Sequence, residues 1–344
     1  MARSLAGIAV IVGLALLCGV ALAQSRADRQ TTSTAPVLSL SKGSGQGYPA
    51  RPIRIIVPNT AGSAMDNVTR MLGQRLTEAW GQQVVVDDRP GAGGIIGHEI
   101  AAKAAPDGYT LLFTASAGVV IIPLLTKVSY DSARDFVPIS LVVNSIQLLS
   151  SHPSVAASNV EELIALARAK PGQLNCGSSG NGSSNHLTCE MLKVMGNVDF
   201  LHVPFKGTVP QMTGLLSGQV QFAFASIPTT WPQVKASRLR ALAQGGSTRS
   251  PVVPNVPTVA ETLPGFQAVT WYALYAPRAT PPAIVARLNA EVVKILADPA
   301  FAQRLANQGL DPAPSTPAEL TAYMRSETER FSRIIKVSGL AGAQ

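Results

Sequence analysis

Apolar and polar positions alternate between two periods along this chain. "IRIIV" (53–57) is a short, β-branched, continuously apolar run, as expected of a buried strand. The loop "PNTAGSAM" leads from it to Asp66, and then Val68, Leu72, Leu76 and Trp80 recur at fourfold spacing on one helical face until Gly81 stops the helix. "QVVVDD" predicts the next strand, "RPGAGG" opens a helix to about Ala105, and "PDGY" turns the chain into "TLLFTAS", a third strand. Strand, helix, strand, helix, strand predicts a parallel sheet with right-handed crossovers.

A second block of the same kind starts near residue 145. Ser158 and Glu161 have capping-box spacing for a helix ending at Lys170-Pro171-Gly172. "QLNCGSS" is strand-like and runs into "GNGSSNHL", after which a helix spans about 184–195. "VDFLHVPF", "VQFAFAS" and "LRALAQGG" read as strands, with a helix over about 208–217 between the first two. From residue 266 the chain returns: "QAVTWYALYAP" alternates like a strand, Pro281-Pro282 opens a helix, and Thr316 with Glu319 caps the last one. No repeat of solenoid length is present.

Three loops therefore lie beyond carboxyl ends of parallel strands, where open α/β sheets bind ligands: 58–66, 90–94 and 177–184. All are Gly/Ser-rich and precede helices, whose N-termini offer unpaired N–H groups and a positive dipole end. Such a loop can cradle a phosphate, present a nucleophilic serine, or hold an anion without reacting. The P-loop reading lacks its lysine, because Ser183-Ser184 follows Gly177 to Gly182. The serines do not fit G-x-S-x-G, and "GAGGIIG" is one residue off the dinucleotide fingerprint. His186 is either a helix-surface or a ligand-facing residue, and Asp66 either an N-cap or a ligand contact.

Composition narrows the class. Of 344 residues, 46% are apolar and 14% charged, enough for a substantial core and two domains. The net charge of +8 favours anionic partners, but no Lys/Arg block points to nucleic acid. Arg3, the apolar run Leu5–Val20 and Ala21-Leu22-Ala23 form a secretory signal cleaved after Ala23. Cys18 raises a lipoprotein option, against which Leu17 stands. Residues 24–47 read as a flexible polar leader. Cys176 and Cys189 are expected to be separate thiols, and the four histidines show no metal-ligand spacing. No metal or other cofactor is expected.

"RPIRIIVP", "RPGAGGIIGHEIAAKAAPDGYTLLF", "SSGNGSSNHL", "HVPFKGTVPQMTGLLSGQVQFAFA", "VPTVAETLPGF" and "LYAPRATPPAIVARLNAEV" occur in that order and resemble the Bug family, the extracytoplasmic solute-binding subunits of tripartite tricarboxylate transporters. The resemblance covers about residues 48–335. It implies a non-catalytic α/β protein of the two-lobed periplasmic-binding-protein (Venus-flytrap) type, with lobe 1 over 48–145 plus 268–344 and lobe 2 over 146–267. It further implies a periplasmic, monomeric receptor for a small organic carboxylate, with the transporter's membrane subunits as partners. A sensor kinase as the partner, or a periplasmic serine hydrolase, are the competing readings.

The family's first ligand loop maps onto Pro58 to Asp66. From it Thr60, Gly62, Ser63, Met65 and Asp66 are candidate contacts, with Asn59 in place of an aromatic and Met65 in place of a hydroxyl. Gly93 and Gly94 come from the second loop and Ser116 from the end of the third strand. Ser179, Asn181, Ser184 and His186 come from the Gly/Ser/Asn loop, followed by Lys206, Gly207 and Ser226. Met65, with Trp271 and Tyr272 on the returning strand, predicts a mono- or dicarboxylate with an apolar or aromatic body in preference to citrate.

Overall fold

The computed structural model describes residues 47–338. The signal segment, Cys18 and all of the leader except Gly47 lie outside the described residues. No helix among the described residues is long and apolar enough to cross a membrane.

The first half runs β1 (Ile53–Val57), α1 (Ala64–Trp80), β2 (Val84–Asp88), α2 (Ile95–Ala102), β3 (Thr110–Ala115), and the short helices α3 (Ile122–Leu125) and α4 (Ser132–Asp135). β4 (Phe136–Ser151) leads into α5 (Val160–Ala169), β5 (Asn175–Ser178), α6 (Ser184–Gly196), β6 (Leu201–Pro204), α7 (Thr208–Leu216), β7 (Phe222–Ser226), α8 (Ile227–Lys235) and β8 (Arg240–Gln244). The return comprises β9 (Val269–Pro277), α9 (Pro282–Ala297), α10 (Pro299–Ala306), β10 (Leu310–Pro312) and α11 (Pro317–Ser338).

The strands order as β2-β1-β3-β9-β4-β7-β5-β6, with β8 and β10 also on β4. β2-β1-β3 and β7-β5-β6 are parallel, as the βαβ pattern requires. β9 is antiparallel to both β3 and β4, so the sheet is mixed where a parallel one was expected. The long strand β4 escaped the sequence pattern. Residues 136–146 pair with β9, and 147–151 pair with β7 and β8, so one strand passes from the first lobe into the second. Register shifts at Pro138/Ser140, Leu141/Val143 and Leu149/Ser150 bend it.

Each lobe has its own core. In the first, Val68, Leu72 and Leu76 of α1 pack with Ile53, Ile55 and Val57 of β1 and with Leu288 and Val292 of α9. In the second, Leu163 of α5, Leu192 of α6, Phe200 and Phe222 form the centre. Full burial of one such side chain contributes roughly 1.5–3 kcal/mol. Gly81 caps α1 in a left-handed conformation, φ 67°. Thr316 and Glu319 reciprocate across the start of α11: Glu319 N–H donates to Thr316 Oγ1 at 3.2 Å and Thr316 N–H to Glu319 Oε2 at 2.8 Å. At α5 the expected box shifts by one residue. Asn159 is the cap, its Oδ1 accepting the Glu162 N–H at 2.8 Å, because Asn caps at least as well as Ser.

Candidate ligand-binding site

A cavity of about 80 Å³ lies between the lobes. The residues that cap or immediately precede five helices line it: Ser63 (α1), Gly94 (α2), Ser183 (α6), Gly207 (α7) and Ser226 (α8). Each helix carries about half a positive charge at this end; at α7 the first-turn N–H groups are already engaged, Gly207 by the Ser179 carbonyl, Thr208 by Asn59 and Val209 by Thr60. The two lobes meet tightly here, and glycine is required at two contacts. A Cβ on Gly93 (φ 68°) would sit 2.4 Å from the Asn181 carbonyl oxygen, and one on Gly207 (φ 119°) 2.5 Å from Thr60 Cγ2.

A buried polar network shapes the loop between β5 and α6. Asn185 Oδ1 accepts from Ser179 N–H (3.2 Å), Ser179 Oγ (3.0 Å) and Ser183 Oγ (2.6 Å). Its Nδ2 donates to Gln211 Oε1 at 2.7 Å, and Gln211 Nε2 in turn donates to the carbonyls of Gly177 and Phe224. Each partner fixes the next, which holds the loop in one shape.

Among the described residues, the cavity wall carries no Lys, Arg, Asp or Glu. Its histidine, His98, is fully buried, and that burial lowers its pKa to about 4 against the opposing hydrogen bond to Gly94, so it is neutral at pH 7. Its Nδ1 lies 2.8 Å from the Gly94 carbonyl and its Nε2 2.9 Å from Thr114 Oγ1. Since a carbonyl only accepts, Nδ1 carries the proton and Nε2 accepts from Thr114. The side chain thereby ties the start of α2 to the end of β3. Ser184 Oγ, at the first turn of α6, is buried with no hydrogen-bond partner among the described residues. The site is an electropositive but uncharged set of donors, able to bind an anion and release it.

Of the candidate contacts, Ser63, Met65, Gly93, Gly94, Ser179, Ser184, Gly207 and Ser226 line this cavity. Seven lie elsewhere. Thr60 faces the other lobe, its Oγ1 accepting the Val209 N–H at 3.3 Å. Asp66 is turned inward: its carboxylate accepts the Gly62 N–H at 2.7 Å and pairs with Arg70 at 2.7 Å, so Gly62 and Asp66 brace the loop. Ser116 is buried and does not line the cavity. Asn181, His186 and Lys206 line a neighbouring chamber of about 590 Å³ with Glu190 and His202. Tyr272 reaches the cavity, whereas Trp271 points into the core and donates to Glu327 at 3.2 Å. Asn59, His98, Thr114, Gln147 and Thr270 were not among the candidates. The available signal was a polar residue inside an otherwise apolar strand, as in "LFTA" and "SIQLL".

Cys176 and Cys189 form a disulfide, correcting the expectation of separate thiols. α6 folds back against β5 and brings their Cα atoms to 6.4 Å, within bonding range. The bond closes the chain around the ligand loop. Beneath that loop Ser178 Oγ lies 2.6 Å from His202 Nε2, a pairing that sequence proximity to His186 had hidden. Ser178 is fully buried and also bonded to Gly180, so its hydroxyl is structural and not a nucleophile open to substrate.

Two lobes joined by shared strands, with helix N-termini converging on the cleft between them, define a periplasmic-type solute-binding protein. The family described as "Tripartite tricarboxylate transporter family receptor" matches residues 68–340, and the chain belongs to it. It is 35% identical to Protein BugT of Bordetella pertussis, over 86% of this chain and 92% of that one. Among solved structures, it resembles the R. palustris protein Rpa4515 with adipate: TM-score 0.83, 32% identity, 86% of this chain and 99% of the other. The periplasmic binding protein BugD gives 0.81 and 31%, with the same coverage. The family and these neighbours are binding proteins, not enzymes.

Proposed function

We propose that this protein is an exported receptor that closes over a small organic carboxylate and delivers it to the membrane subunits of a tripartite tricarboxylate-type transporter. The observation that carries the reading is the uncharged cavity ringed by five helix N-termini. The adipate in the Rpa4515 structure is consistent with it. In this reading the carboxylate is held by main-chain amides near Ser63, Gly94 and Ser183 and by the Ser184 hydroxyl, with α7 contributing its dipole. The lobes, 48–145 plus 268–344 and 146–267, rotate about the two crossovers, β4 near residue 146 and the entry to β9. The mature chain starts at Gln24, acts in the periplasm and works as a monomer. The absence of a cation from the wall favours one or two carboxylates over three.

The test is to denature protein purified from its native host and identify released acids by mass spectrometry, then to titrate mono-, di- and tricarboxylates calorimetrically. Recovery of a small acid that binds at one site per chain supports the reading. If no acid is released and none in the panel binds, the reading fails.

A further inference from the structure

One buried acceptor on the cavity wall is left unpaired by the fold among the described residues. Gln147 lies on β4 where that strand leaves the first lobe. Its N–H donates to the Ala268 carbonyl at 3.0 Å and its own carbonyl accepts from Gly245 at 2.8 Å, so its backbone is locked between the crossovers. The side chain is 4% exposed. Nε2 donates to Thr270 Oγ1 at 3.0 Å, and Oε1, within the cavity lining, has no donor among the described residues. Of the neighbouring hydroxyls, Ser226 Oγ lies 2.9 Å from Thr229 Oγ1, while Ser145 Oγ is buried with no hydrogen-bond partner among the described residues and is a further donor on this wall.

We propose that Gln147 is a specificity-determining residue that selects a carboxylate bearing a hydroxyl group. This rests on the carboxylate reading above. A carbonyl oxygen repels a carboxylate oxygen but accepts from a hydroxyl, and a buried acceptor left without a donor disfavours any ligand that cannot supply one. The wall therefore divides by chemistry. Helix N-termini and the unpartnered Ser184 hydroxyl supply donors for the charged end, and Gln147 Oε1 supplies an acceptor for a neutral donor on the ligand's body. Because Gln147 and Thr270 stand on the two crossover strands, a ligand hydroxyl bonded there touches the hinge itself. A second carboxylate at this position would require the amide turned over, with Thr270 donating to it.

The experiment is isothermal titration of the wild-type protein with matched acids: propionate and lactate, butyrate and 3-hydroxybutyrate, succinate and malate. The expected result is a preference of about tenfold for the hydroxylated member of a pair that binds. The near-isosteric Gln147→Met should bring that pair to within about twofold by weakening the hydroxy acid alone. Equal affinity within every binding pair, or preference for the deoxy acid, overturns the assignment and leaves the carboxylate reading intact. If Gln147→Met weakens both members equally, Gln147 shapes the cavity and does not select. If no acid in the panel binds, the carboxylate reading fails and this one with it. Absence of a wild-type preference overturns the assignment even if the variant does not fold.

Discussion

Asn59 and Thr208 are joined twice across the cleft. Asn59 Oδ1 accepts the Thr208 N–H at 3.2 Å, and Asn59 Nδ2 donates to Thr208 Oγ1 at 3.1 Å. The same Oδ1 accepts the Thr60 N–H at 2.8 Å, which fixes the amide within its own loop. One residue of the first lobe thus caps the start of α7 in the second, at the edge of the cavity.

These bonds exist only while the lobes are together, so they stabilise closure and not either lobe. Asn59→Ala should lower affinity for a bound carboxylate by about tenfold, since two modest hydrogen bonds contribute about 1–2 kcal/mol. Unfolding of the ligand-free protein should change little. Calorimetric titration with small-angle scattering checks this; unaltered affinity and unaltered ligand-dependent compaction would remove the latch role.

Ser184 makes the opposite kind of contribution. Its buried hydroxyl has no partner in the fold, so Ser184→Ala should leave thermal stability unchanged or raise it by up to about 1 kcal/mol. A hydrogen bond to a charged ligand contributes roughly 1.5–3 kcal/mol, so the same change should weaken carboxylate binding tenfold or more. Loss of stability with intact binding is the outcome that contradicts this assignment.

The Cys176–Cys189 bond spans a sequence separation of 13. Constraining a loop of that length in the unfolded chain stabilises by roughly 3 kcal/mol. Replacing both cysteines with Ala should lower stability in urea by about that amount, and the oxidised wild-type protein should show no thiol reacting with Ellman's reagent under denaturing conditions, apart from Cys18 if it is retained. A loss below about 1 kcal/mol would mean the bond adds little beyond the packing of α6 on β5.

Acid should destabilise the protein through its histidines. Burial lowers the pKa of His98 and His186 to about 4, and that of His202, stacked on His186 at 3.8 Å, to about 3. The unfolded chain takes up these protons near pH 6.5 and the folded chain only below about 4. Stability is therefore complete above pH 7 and falls as pH drops from about 6.5 towards 4. The fully buried His98 alone accounts for on the order of 3 kcal/mol of that loss. Urea titrations from pH 7.5 to 4.5 should show it, with a shallower slope in His98→Gln; a flat profile would mean the imidazoles protonate freely in the folded state.

The sequence by itself determined the elements with strong local signals. The strand at 53–57 is apolar on both faces, α1 has its fourfold stripe and terminal glycine, and the Thr316–Glu319 box lies within four residues. It also placed the Gly/Ser loops before helices, because turn chemistry and capping are local. The ordered motifs carried the family resemblance, and with it the two-lobed fold. Only the tertiary structure decided which residues share the cavity. Asp66 looked like a ligand contact, but a neighbouring arginine and its own loop's N–H engage it. Trp271 and Tyr272 are adjacent in a strand and so face opposite sides, one towards core and one towards cleft. Gln147 and Thr270 meet across 123 residues, Asn59 and Thr208 across 149, and Cys176 meets Cys189 only because α6 folds back on β5. Periodicity reports which face of an element is buried; which other element buries it depends on long-range pairing of strands, and the ligand site is built from those pairings.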